Sequence, residues 1–279
     1  MTYHGGAVQD APQVYVVYWG SQWGTGSITN DPSNEAGLQN SFFSSLHGSG
    51  DTWSTSVTQY CSGVAVGSTA CGGATTFAGH PSVNPLQGTW LDDSAAAPSN
   101  PSASDIQKEA IRAAQHFGVT GTNAQIVVDS PTGVVPDGFV VGGGPYCAYH
   151  DTAQTSDGTS FTFTNFPYLT DAGKNCGAGY VAPGSSGVDP ATEGITIVGG
   201  HEYGETVTDP IVEPSSTGWI TDNDPSGGEN GDKCAWSNGY SAIVGLNGTN
   251  FAVQSLWSNN DNNGSGGCVT YYGSASDQN

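Results

Sequence analysis

Alternating β-branched and aromatic positions in Gln13–Trp19 (QVYVVYW) predict a β-strand. The period then changes: Leu38, Phe42, Phe43 and Leu46 fall at helical spacing, which predicts a helix over Asn34–Leu46. Thr52–Tyr60 reads as another short helix ending at the first cysteine. The clearest helix is Ser104–Phe117, where Ile106, Ala110, Ala113, Ala114 and Phe117 line one face. Ser104 with Gln107 gives a capping-box pattern, and Gly118 is a stop signal. Ala124–Asp129 (AQIVVD) follows as a buried strand, and this helix-then-strand order indicates α/β layering. From residue 130 onward the pattern breaks into loops and short strands at Gly138–Val141, Ser160–Thr164 and Asn250–Leu256. Pro/Ser-rich Ala95–Ser102 is linker-like in composition but has the length of a surface loop. No internal repeat is present. The expectation is one domain over residues 1–279, α/β (mixed α+β) in class, with a mixed sheet flanked by helices and a loop-rich second half tied by disulfides.

Charge narrows the partners. The chain has 25 Asp plus Glu against 4 Lys plus Arg, a formal charge of −21. Lys108, Arg112, Lys174 and Lys233 are too scattered to track phosphates, so nucleic acid is excluded as a partner. An anionic membrane surface repels such a chain as well. Hydrophobic residues make up 35% and aromatics 10%, enough to build a core rather than a disordered acidic tail. With so few cations, self-repulsion at low pH is small, and tolerance of acid is expected.

Cys61, Cys71, Cys147, Cys176, Cys234 and Cys268 contain no CxxC pair, which argues for disulfides rather than a zinc knuckle. The sequential pairing 61–71, 147–176 and 234–268 closes the shortest loops and is expected. Two glycosylation sequons, at Asn247 and Asn263, lie in Gly-rich loops. No apolar run approaches a membrane span, and no signal peptide precedes Thr2. The chain therefore reads as a mature, secreted, extracellular protein, with a monomer expected.

Residues 201–205 read His-Glu-Tyr-Gly-Glu, an H-E-x-x-E pattern. On a helix, positions i and i+4 share a face with Cβ atoms about 5–6 Å apart. His201 and Glu205 can then bind one Zn²⁺, while Glu202 stands where a carboxylate can deprotonate metal-bound water as general base. The segment resembles the active-site helix of the zincin metallopeptidases, with Glu205 in place of the second His. Only seven Glu occur in the chain, which makes the match harder to dismiss. The helix itself is in question: Gly194, Gly199, Gly200 and Gly204 each cost on the order of 1 kcal/mol relative to Ala. Ile195–Val198 also has strand propensity. Either a close-packed helix runs from about Thr192, or a strand meets a short helix at Gly199–Gly200. Asp209-Pro210 ends it in both cases.

A third ligand is needed. Glu229 is favoured, by similarity to the downstream glutamate of thermolysin-like enzymes, with Asp209 and Asp232 behind it. Asp209 falls at i+8, about 12 Å along a straight helix, and serves only if the chain turns first. A rival cation site overlaps this loop: Asp222-x-Asp224-x-Ser226-Gly227 matches the first half of a calcium loop, for a structural Ca²⁺. Lys233 at position twelve excludes an EF-hand. His150, in Pro145-Tyr146-Cys147-Ala148-Tyr149-His150-Asp151, is a candidate ligand or oxyanion-stabilising catalytic residue. No Gly-x-Ser-x-Gly elbow is present, and paired cysteines leave no thiol nucleophile.

The wider order of VYVVYWG, CAYH, HEYGETVTDP, GWITD and ENGDKC resembles the bacterial and fungal relatives of the plant EXORDIUM/phosphate-induced extracellular proteins, across residues 13 to about 236. That resemblance implies an extracellular location and brings no mechanism. The leading expectation is a secreted, zinc-dependent endopeptidase acting on protein or peptide. The alternatives are a non-catalytic cell-wall-binding protein that uses exposed Trp and Tyr, and a metal-free acid peptidase with paired carboxylates.

Overall fold

The structure is a computed structural model that describes residues 1–181, 187–213, 216–237 and 241–271. Five strands form its main sheet: β1 (Gln13–Trp19), β2 (Leu86–Asp92), β3 (Ala124–Asp129), β4 (Tyr149–Gln154) and β5 (Ser160–Phe166). Their order is β2-β1-β3-β5-β4. The first four run parallel, and β4 closes one edge antiparallel to β5. The class is mixed α+β, as the sequence predicts.

Strand alternation divides the core between the two faces of this sheet. Val17, Ile126, Val128, Phe161 and Phe163 point one way, under helix α2 (Ala103–Phe117) with its Ile106, Ala110, Ala113 and Ala114. Val14, Val16, Tyr18 and Val127 point the other way, into a layer built from helix α1 (Glu35–Ser45) and helix α3 (Glu193–Thr208). Beyond α3 lies the antiparallel hairpin β6 (Ser241–Leu246) and β7 (Thr249–Gln254). Its two-residue turn has Asn247 at φ 49° and Gly248 at φ 84°, the left-handed pair a type I′ turn requires.

The glycines of α3 are explained by its burial. Of its sixteen residues, every one but His201 is buried. A Cβ on Gly194 would overlap the Cys176 carbonyl oxygen, one on Gly200 would lie 2.9 Å from the Trp53 ring, and one on Gly204 would lie 2.7 Å from Leu256. Close approach therefore outweighs helix propensity, and the segment is one continuous helix rather than a strand followed by a short helix.

Several expectations are corrected. The capping box of α2 uses Ser102 and Asp105, two residues before the Ser104–Gln107 pattern. Gly138–Val141 is not a strand. Gly142 N–H bonds Phe139 O and Gly143 N–H bonds Val140 O, closing local turns that left-handed Gly138 and Gly143 permit. Asn250–Leu256 is interrupted: β7 stops at Gln254, and Leu256–Ser258 pairs instead with Gly267–Val269. Strands β2, β4 and β6 were not legible: β4 buries His150 and Thr152, and β2 and β6 are mostly half-buried, without a clean alternation of apolar and polar positions. The three disulfides pair Cys61–Cys71, Cys147–Cys176 and Cys234–Cys268, in the sequential order expected. Among the described residues, no helix is long and apolar enough to cross a membrane.

Candidate metal centre

The second half of α3 carries its partly exposed polar residue, His201. His201 Nε2 lies 3.0 Å from Glu205 Oε1, one helical turn away. The segment 229–234 folds over this pair. Asn230 is fully buried and its amide donates to Gly204 O at 2.8 Å and Thr208 Oγ1 at 2.9 Å. Gly231 then passes so close that a Cβ there would stand 2.8 Å from both Glu205 Oε1 and His201 Nδ1. Next, Asp232 donates its backbone N–H to Glu205 Oε1 at 2.9 Å and sets its own Oδ1 3.7 Å from His201 Nε2. A single 3₁₀ turn, Asp232–Cys234, and the bond to Cys268 finish the segment.

The sheet supplies a second imidazole. In β4, His150 pairs with Thr164 and faces α3, as does Thr152, which accepts the Val212 N–H at 2.8 Å. His150 Nδ1 lies 3.5 Å from Glu202 Oε2 and 3.6 Å from Glu205 Oε2, while Nε2 lies 3.4 Å from Glu229 Oε1. Two three-donor groups result, His201–Glu205–Asp232 and His150–Glu205–Glu229, with the donors of each within 4.8 Å of one another. Imidazole plus carboxylate is a donor set suited to zinc and its first-row neighbours. Glu202 Oε2 is buried beside both groups without a hydrogen-bond partner.

One orienting residue was not visible in the sequence. Gln254, at the end of β7, donates through Nε2 to Gly231 O at 2.7 Å. Its Oε1 is therefore the acceptor facing His201 Nδ1 at 3.3 Å. The ring donates from Nδ1 and turns Nε2 toward Glu205 and Asp232, the orientation metal-binding histidines use. A polar residue ending the apolar run Phe251–Val253 was the only available signal.

The electrostatics reflect carboxylates crowded out of water. Burial disfavours charge on His201, but Glu205 outweighs it and raises the imidazole to about 10. Burial likewise opposes charge on His150, yet Glu229, Glu202 and Glu205 hold its pKa well above the usual histidine range. Glu205, despite burial, is drawn down to about 2 by His201 and His150. Asp232 is pushed up to about 8 by burial and by Glu205. Asp209 rises to about 7 through burial and Glu229.

The sequence candidates thus separate. His201, Glu202, Glu205, Glu229, Asp232 and His150 converge. Asp209 caps α3, its Oδ1 accepting the Gly218 N–H at 2.7 Å, and stands outside both three-donor groups. Asp222 and Asp224 are not brought to the centre. Asp224 accepts from Ser226 Oγ at 2.6 Å and from Lys233 Nζ at 2.9 Å, while Asp222 is exposed beside His4. Compared with protein-family models, curated proteins and solved structures, the chain matches none.

Proposed function

We propose that the protein is a secreted, metal-dependent hydrolase of peptide bonds. One observation carries the reading: His201, Glu205 and Asp232 converge as a three-donor group beside Glu202, whose buried Oε2 has no hydrogen-bond partner and faces the His150 ring at 3.5 Å. A zinc ion held there would polarise a substrate carbonyl and lower the pKa of water. His201 and Glu205 would hold the ion from one helix face, and Asp232 would hold it from the loop. Glu202 accepts the proton from the attacking water and returns it to the leaving amine. His201, Glu229 and Asp232 side chains are partly exposed, at 17%, 17% and 23%, so substrate approaches from their side. The three disulfides support an oxidising, extracellular setting.

A second reading rests on His150. Its contacts bring Glu202, Glu205 and Glu229 together around one ring, and paired carboxylates are what a metal-free acid peptidase would use. Metal content together with protein hydrolysis from acid to neutral pH, with and without chelator, separates the two. The proposed function requires bound metal and chelator-sensitive cleavage. Metal-free activity confined to acid would support the second reading.

A further inference from the structure

We infer that the centre holds two divalent transition-metal ions bridged by the Glu205 carboxylate. This rests on the metal-hydrolase reading and adds a second ion to it. Glu205 divides its oxygens: Oε1 faces His201 at 3.0 Å, and Oε2 faces His150 at 3.6 Å. Each side completes one imidazole and two carboxylates, His201 with Asp232 and His150 with Glu229, and the two groups share Glu205 alone. Zinc–ligand bonds of about 2.0–2.2 Å place tetrahedral donors about 3.3–3.6 Å apart. The His150 Nδ1–Glu205 Oε2 separation of 3.6 Å falls near that range, and Glu229 offers the third donor, all three lying within 4.8 Å of one another.

An independent observation points to a cation on the His150 side. Glu202 is 4% exposed, its Oε2 has no hydrogen-bond partner, and it points at His150 Nδ1 from 3.5 Å. Glu229 Oε1, on the other side of the ring, also lacks a hydrogen-bond partner. In the metal-free chain these buried oxygens have the His150 ring as their counter-charge without a hydrogen bond of ordinary geometry, and an ion bound at that ring would take its place. Charge is compatible: Glu202, Glu205, Glu229 and Asp232 around two neutral imidazoles balance two divalent ions. Carboxylate-bridged pairs in hydrolases place their ions about 3.5–4 Å apart and clamp both oxygens of the reacting group.

The test uses the whole chain, stripped of metal and titrated with Zn²⁺ by calorimetry, with bound zinc quantified after gel filtration. Mn²⁺-loaded protein is examined in parallel by EPR. The expected result is two Zn²⁺ per chain in the wild type, one in His150→Ala, one in Glu229→Gln, and an exchange-coupled Mn²⁺ pair that both variants abolish. Glu229 sits at the open side of the centre, so its variant answers the question if His150→Ala does not fold. One Zn²⁺ in the wild type overturns the pair and leaves the single-metal hydrolase standing. No retained Zn²⁺ overturns both. Two ions that are uncoupled, or that survive both substitutions, overturn the Glu205 bridge.

Discussion

Gln254 Oε1 lies 3.3 Å from His201 Nδ1, and this contact fixes which imidazole nitrogen faces the carboxylates. Because Gln254 Nε2 is committed to Gly231 O, the amide cannot flip without losing both bonds. Partners of this kind are worth roughly 10- to 100-fold in metal affinity. Gln254→Leu is expected to weaken Zn²⁺ binding by about that factor in calorimetric titration. An unchanged affinity would show that packing alone orients the ring.

Two adjacent glycines in α3 should respond in opposite ways to alanine. Replacing Gly by Ala in a helix gains about 1 kcal/mol, and forcing a methyl into a filled core costs about 1–3 kcal/mol. At Gly199 the added Cβ meets Phe166 and Phe43 at 3.8 Å, an ordinary contact, so propensity wins and Gly199→Ala raises stability. At Gly200 it would stand 2.9 Å from Trp53 and 3.3 Å from Phe42, so overpacking wins and Gly200→Ala lowers stability. Urea denaturation of the two variants checks the sign of each change.

The metal-free protein should be most stable in mild acid. Burial, chiefly, raises Glu35 and Glu109 each to about 8, and it raises Asp129, whose two oxygens lack hydrogen-bond partners, well above the usual carboxylate range. These acids bind their protons more tightly folded than unfolded. Their contribution is complete below the unfolded value of about 4 and is lost as pH rises toward 8. His47 sets the lower limit: burial and His80 depress it to about 4, so stability falls as pH drops from about 6.5 through 4. Three such acids outweigh one histidine, so the maximum is expected near about pH 4, and Asp129→Asn should flatten the alkaline side. Thermal unfolding across pH measures both. Greatest stability at pH 8 would contradict the assignment.

Metal binding should show the opposite trend. His201 near 10 and Asp232 near 8 must give up protons to bind an ion. Affinity is then expected to fall about tenfold per pH unit for each proton displaced. Calorimetry in buffers of different ionisation enthalpy counts those protons, and a pH-independent affinity would exclude His201 and Asp232 as ligands. A fold stable in acid and a centre loaded nearer neutrality are therefore compatible in one chain.

Local chemistry in the sequence carried much of this. The β1 alternation, the α2 stripe, the disulfide order and the spacing of His201 and Glu205 all follow from neighbouring residues. The helical state of 193–208 did not, because its glycines make sense only against Trp53, Leu256 and the Cys176 backbone, which are distant in sequence. The approach of His150 to Glu205 was hidden for a related reason. It depends on β4 joining the sheet edge in one register, and a one-residue slip would turn His150 to the other face. Gln254 ends an apolar run, and nothing local to it points to His201.

The central claim is that Glu202 moves a proton in a metal-dependent hydrolysis, and the kcat of zinc-loaded Glu202→Gln on a peptide substrate tests it most directly. The account predicts a loss of about 10²- to 10⁴-fold in kcat, with zinc still bound and the wild-type activity abolished by chelator and restored by Zn²⁺. Full activity in Glu202→Gln, or wild-type cleavage indifferent to chelator, would contradict it.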